Sequence, residues 1–472
     1  MRQIFRKRLL THEDMEDEPR GLRKCLSALD LMLMGIGCII GTGIFVLTGI
    51  AAATQAGPAV VLSFLIASIP CIMAALSYAE LASSIGGCGS AYGYSYAAFG
   101  EMIAWIVGWD LILEYGVAVA AVANGWSGYF NNVLTAVGMP IPASLMQGPM
   151  SGGYVNLPAV LIILTLMGVL IKGVRESARA NAAIVFIKLL TIAVFIGVAL
   201  FNIHPENWHP FMPYGWFSTT PDGHTIGVFA AASLVFFAYI GFDAVSVAVE
   251  ESHNPKRDVP IGILGSLGFC TLIYIIVSGL LTGIVPYTEL NVSSPVAFAL
   301  EKIGIRWASA LVATGVIAGL TSVMLALYYG LTRIVYAMGR DGLLPQSIAA
   351  VSPKTHTPVR ATVTMGIIMA LLAGFLPLGT LAELVNVGTL AAFVLVCGGV
   401  IVLRYTHPDM PRHFKVPGGI VLPILGVISC GALIVFLPTI THLRFVIWLL
   451  IGFVVYFGYS IKHSKLADKP KA

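Results

Sequence analysis

Lys188, Glu114, Asp110 and Asp243 each fall within a long apolar run of this chain. If such runs cross a membrane, each ionisable group costs about 3 kcal/mol at the centre on insertion scales, and such groups are seldom idle. Lys188 lies in AAIVFIKLLTIAVFIGVAL. It is roughly 9 Å into its run at 1.5 Å per residue, so one reading has it snorkelling to the inner interface. The other makes it a proton carrier, since a lysine amine can exist with or without its proton where a guanidinium cannot. Glu114, in GWDLILEYGVAVA, either lines a side-chain pocket, where it would suit a cationic ligand, or is a protonated, hydrogen-bonded core carboxyl. Asp110 is one turn earlier, as its partner or at the interface. Asp243 suits a helix cap. Glu80 is expected at an interface, and Glu250 and Glu251 in a loop salt bridge.

Glycines mark two further positions. Gly35, Gly37, Gly41 and Gly43 crowd one run, and Ile240-Gly241-Phe242-Asp243 matches Ile40-Gly41-Thr42-Gly43 in another. Each glycine weakens a helix by about 1 kcal/mol relative to alanine. One reading is close helix packing. The other is a pair of helices unwound at mid-membrane, whose freed N–H and C=O groups need partners. A zwitterion supplies them: its carboxylate at the amides that open a half-helix, its ammonium at the carbonyls that close one. Phe236, Phe237, Tyr239 and Phe242 surround the second glycine, for packing or as a lid. Phe242 would block the inner side and Phe237 the outer. The segment Gly86–Tyr92 suits a hinge; no strand precedes it and no Lys-Ser/Thr follows, so it is not a phosphate loop.

The elements that carry these residues follow from composition. The chain has 472 residues, 57% hydrophobic and only 11% charged, with 50 glycines. An ordinary soluble protein has about 25% charged residues, so a soluble enzyme, a nucleic-acid binder and a disordered scaffold are poor readings. Apolar runs near 28–53, 57–82, 101–122, 155–171, 182–202, 225–249, 260–285, 308–338, 361–376, 382–403, 420–438 and 444–461 predict twelve membrane-spanning helices. The runs lack the alternation of a membrane barrel. With both termini inside, every one of the 27 lysines and arginines lies inside except Lys302, Arg306, Arg444 and the intramembrane Lys188. That bias fixes the orientation. No cleavable signal is read in residues 1–27. None of the seven cysteines has C-x-x-C spacing, so neither metal nor disulfide is expected.

Spans 1–5 (28–202) and spans 6–10 (225–403) are near-equal in length, with the glycine break in the first span of each. A proline opens the next span in both, Pro58 and Pro260. Five is odd, so the second block inserts inverted, the plan of secondary transporters. The expected organisation is a cytoplasmic arm 1–27, two five-helix repeats, helices 11 and 12 over 420–461, and a cytoplasmic tail 462–472.

The runs GIGCIIGTGIF, FFAYIGFDAVSVAVEE with NPKRDVPIGI, and GRDGLLP together resemble the amino acid–polyamine–organocation (APC) transporters. Within that superfamily the chain is most similar to bacterial members of the cationic amino acid transporter family, over about residues 20–460. The resemblance implies an all-α membrane protein of the leucine-transporter type: a 5+5 inverted repeat plus two helices, with spans 1 and 6 broken. It implies import of amino acids across the cell membrane. Carried over, the carboxylate would meet Ile39, Thr42 and Gly43, and the ammonium Ile39, Phe237, Ala238 and Ile240. Lys188 would take the place of a cation between spans 1 and 8, with a carbonyl near Gly37 and the hydroxyls of Thr321 or Ser322 as partners.

Proton symport is the leading expectation. An exchanger on the same fold stays open. A channel would need a polar stripe on several spans, and an enzyme a constellation at membrane depth, whereas most histidines fall in loops. No nucleotide motif, cofactor, metal or nucleic-acid partner is expected; the partners are an amino acid, protons and lipid. The identity of the amino acid, small neutral or cationic, and the oligomeric state are not fixed by the sequence.

Overall fold

The computed structural model describes residues 26–85, 91–173, 178–221, 223, 225–247, 252–352, 355 and 357–465. Of the segments considered above, residues 1–25 of the arm, Gly86 to Ser90, Glu250, Glu251 and residues 466–472 of the tail lie outside them.

Helix α1 (Ala28–Ile39) starts at a reciprocal cap. The Ser27 hydroxyl accepts from the Asp30 amide at 3.3 Å, and the Asp30 carboxylate accepts from the Ser27 amide at 2.9 Å. It stops at Ile40, whose backbone is extended (φ −73°, ψ 103°). Helix resumes from Gly43 to Ala56, partly with wide i→i+5 turns. Gly57, at φ +64°, then turns the chain into α2 (Val60–Ile85).

The remaining long helices are α3 (Glu101–Ala136), α4 (Leu157–Lys172), α5 (Ala178–Leu200), α6 (Val228–Val235), α7 (Pro255–Ile284), α8 (Arg306–Arg340), α9 (Val359–Phe375), α10 (Leu378–Thr406), α11 (Val421–Val435) and α12 (Thr439–Val455). Each coincides with one of the apolar runs. Helix α6 breaks as the glycine pattern predicts. It tightens into a 3₁₀ turn at Phe236–Tyr239, extends at Ile240 (ψ 139°) and passes through Gly241 at φ +111°. A short helical turn follows at Ala244–Val247. Among the described residues, eight helical stretches are long and apolar enough to cross a membrane, and α1, α4, α9 and α11 are shorter apolar helices.

Helix α3 packs along α8 and α10, and α7 along α1 and α2, so both broken segments are enclosed. The outer faces of α5, α11 and α12 leave Phe186, Leu190, Val435, Leu450 and Val454 exposed. Such continuous apolar faces suit lipid rather than water. We call the face that bears the basic loops the inner face.

Candidate functional site

The two breaks touch each other. An added Cβ on Gly43 would lie 2.3 Å from the Ala238 Cα, and one on Gly241 would lie 3.0 Å from the Cys38 Cβ. Glycine at both places lets the unwound segments meet backbone to backbone. A leucine at Gly43 would therefore disturb the packing as well as any ligand. Gly41 is different: its nearest neighbour, a Val323 methyl, is 3.7 Å from the Cβ position.

Around the meeting point is a cavity of about 20 Å³, bounded by Ile39, Thr42, Phe237, Ile240, Ala118 and Val122, with Val323 and Leu327 of α8. That is room for about one water, so the structure has the site closed. Thr42 is fully buried and its hydroxyl has no partner among the described residues. The outer half of this span begins here, and the first amides of a helix have no intrahelical acceptor. The carbonyls of Ile39 and Ala238, one from each break, converge on a single point. The Tyr274 hydroxyl of α7 occupies it, at 2.9 and 2.7 Å. The arrangement offers donors on one side and acceptors on the other.

Of the residues expected to bind substrate, Ile39, Thr42, Gly43, Phe237 and Ile240 line this cavity, and Ala238 packs directly behind Gly43. Glu114 does not line it. The α3 wall is Ala118 and Val122, one and two turns further out, and Val119 is not on it either. Glu114 is buried among other acids instead, as are Asp110 and Asp243. The Asp243 carboxylate accepts the Tyr115 hydroxyl at 3.0 Å.

Lys188 is 1% exposed, which excludes snorkelling in this structure. Its Nζ donates to the carbonyls of Gly37 at 2.5 Å and Ile40 at 3.2 Å, the last turn of α1 before the break. The stem of the side chain passes over Gly319 of α8, where a Cβ would lie 3.0 Å from Lys188 Cε. The expected partners Thr321 and Ser322 are not engaged with it. Their hydroxyls bond back to the carbonyls of Ile317 (2.7 Å) and Gly319 (2.9 Å), and Thr321 also accepts the Trp126 indole at 3.0 Å. A helical hydroxyl satisfies itself within its own turn unless a neighbour competes.

On the inner side the ring of Phe242, fully buried, packs against Tyr78 (centroids 5.9 Å apart) and Phe393 (5.2 Å). Below it, Glu80, near the inner end of α2, is buried within the protein. It accepts Arg404 through both oxygens (3.0 and 2.5 Å) and the Val416 amide at 2.7 Å, with Arg412 at 3.6 Å. On the outer side the bonds to the broken segments described here are neutral. Tyr129 donates to the Phe45 carbonyl at 2.7 Å, and Asn386 of α10 donates to the carbonyls of Ser233 and Leu234 in α6 at 2.7 and 3.0 Å.

Tyr274, Asn386 and Glu80 were not among the expected site residues. A lone tyrosine in the aliphatic run LIYIIV was the signal for the first; nothing local marks the other two.

A sequence model of amino acid permeases matches residues 26–459. The chain is 49% identical over 452 residues to the branched-chain amino acid permease BcaP of Bacillus subtilis (strain 168), covering 95% of each. It is 48% identical over 468 residues to the methylthioribose transporter of the same strain, covering 99% of this chain and all of the other. It is also 39% identical over 403 residues to cationic amino acid transporter 4 of Homo sapiens, covering 83% of this chain and 61% of that one.

Proposed function

Because the chain belongs to the amino acid permease family, we propose that it imports amino acids across the cell membrane by proton symport. As a family member it is a membrane transporter and not an enzyme. The proposed architecture has twelve spans, a 5+5 inverted repeat followed by two helices, and both termini in the cytoplasm. The closed pocket between the two breaks carries the reading. The substrate carboxylate takes the amides at Thr42 and Gly43 and the unpartnered Thr42 hydroxyl, with the positive end of that half-helix behind them. The ammonium takes the carbonyls of Ile39, Phe237, Ala238 and Ile240, and displaces the Tyr274 hydroxyl from two of them.

The wall around the side chain is apolar: Ala118, Val122, Ile240, Val323 and Leu327. With Glu114 off this wall, an apolar neutral side chain fits better than a cationic one. The name of the branched-chain permease relative supports the same choice. Lys188 is the proposed proton carrier. Charged, it holds α1 through the carbonyls of Gly37 and Ile40; neutral, it holds them less firmly, and the inner half of the span is freed to move. Coupling requires that difference in affinity between states.

The test is uptake by the purified protein in liposomes, acid outside, of labelled leucine, alanine, arginine and methylthioribose. Leucine or alanine should accumulate above arginine. Accumulation of methylthioribose with no amino acid taken up would overturn the substrate reading.

A further inference from the structure

Lys188 reaches from α5 into the gap between α1 and α8, and a glycine faces α5 on each side of it. On the α1 side, an added Cβ at Gly37 would lie 2.9 Å from a Val185 methyl and 3.3 Å from Asn181 Oδ1, both on α5. Glycine there lets α1 approach until the Gly37 carbonyl is 2.5 Å from the amine. On the α8 side, a Cβ at Gly319 would lie 3.0 Å from both Cγ and Cε of Lys188 and 3.5 Å from its Cδ. The stem therefore lies flat along the α8 backbone.

Little slack is left. Carbon atoms rest about 3.5–4.0 Å apart, so a methyl at position 319 would push the stem by about 0.5 Å. The amine cannot advance, because its bond to the Gly37 carbonyl is already at the short limit. It must turn aside, and its bond to the Ile40 carbonyl, at 3.2 Å, has the least room to lengthen. Ile40 is the extended residue at the break itself. Gly315, one turn earlier on the same face of α8, provides a contrast. A Cβ there would overlap the Thr191 hydroxyl, which donates to the Ile187 carbonyl of its own helix at 2.8 Å. Gly315 is the more tightly crowded of the two, but its neighbour holds nothing outside α5.

We propose that Gly319 is a positioning residue for proton coupling: by leaving room for the Lys188 stem, it aims the amine at the Ile40 carbonyl as well as that of Gly37. The proposal rests on the reading of Lys188 as the proton carrier. With a side chain at 319, the amine holds the last turn of α1 but loses its hold on the break.

The experiment uses the full chain in liposomes. It compares leucine accumulation with the outside acid against exchange of labelled for unlabelled leucine at equal pH. Gly319→Ala should lower the ratio of the two by about tenfold, the worth of one hydrogen bond to a charged group. Gly315→Ala should lower the melting temperature in detergent by more than Gly319→Ala does, yet leave the ratio near that of the parent. A packing role alone for both glycines gives Gly315→Ala the larger loss in both measurements. The contact is read in a double-mutant cycle: Gly319→Ala should cost less melting temperature in the Lys188→Ala background, where the stem is gone, than in the parent. That comparison serves equally if Gly319→Ala alone folds poorly. An unchanged ratio in Gly319→Ala, a larger fall in the ratio for Gly315→Ala, or an equal melting cost in both backgrounds would overturn the proposal. Failure of the carrier reading is seen separately, as accumulation of leucine by Lys188→Ala.

Discussion

The site is closed on both sides, but by different chemistry. On the inner side Glu80 is buried between Arg404 and Arg412, and the rings of Phe242, Tyr78 and Phe393 pack above it. On the outer side the closure is Tyr129 on the Phe45 carbonyl and Asn386 on the end of α6. A neutral hydrogen bond contributes about 1 kcal/mol net and is readily exchanged for water. A buried charge separated from its partner is costly until both ends reach water. On the proposed import reading, the outer side would open in small steps and the inner side as a unit. That asymmetry suits the proposed import, in which the protein waits open to the outside and commits once loaded.

The largest effect should come from Glu80→Gln. It leaves Arg404 and Arg412 without their carboxylate, a loss of about 3–5 kcal/mol. The melting temperature in detergent should fall by several degrees, and Glu80→Gln combined with Arg404→Gln should recover part of it. No change in melting would mean that the inner closure is not electrostatic. Next is Gly43→Ala, at the contact between the two breaks. Overpacking there against Ala238 should cost about 1–3 kcal/mol, whereas Gly41→Ala should be tolerated. Equal stability of the two variants would show that the breaks do not meet as described. The smallest effect is Tyr129→Phe, about 1 kcal/mol. Cys38, which lines the central cavity, should then react about fivefold faster with an impermeant thiol reagent added outside. A rate unchanged from the parent would remove Tyr129 from the outer closure.

Hydropathy and glycine spacing predicted the helices and both breaks, because membrane insertion and helix propensity are local properties. Glu114 stood open between the pocket wall and a buried core carboxyl; it is buried one turn inward of Ala118, on the helix face it shares with Ala118 and Val122. Depth along a helix depends on where its neighbours break, which periodicity does not encode. Lys188 was anticipated near Gly37 through the family resemblance. Thr321 and Ser322 failed as partners because helical hydroxyls bond within their own turn. The enclosure of Glu80 could not be read locally because its arginines are more than 300 residues away in sequence.

Lys188, on the carbonyls of Gly37 and Ile40, is the group proposed to tie proton movement to the broken helix. The direct measurement is leucine uptake into liposomes with the outside acid, against equal pH on both sides, for the parent, Lys188→Ala and Lys188→Arg. The parent should concentrate leucine only with the gradient and neither variant should, while Lys188→Ala still binds leucine. Concentration of leucine by Lys188→Ala under the acid gradient would contradict it, and the carrier would have to be sought among Asp110, Glu114 and Asp243.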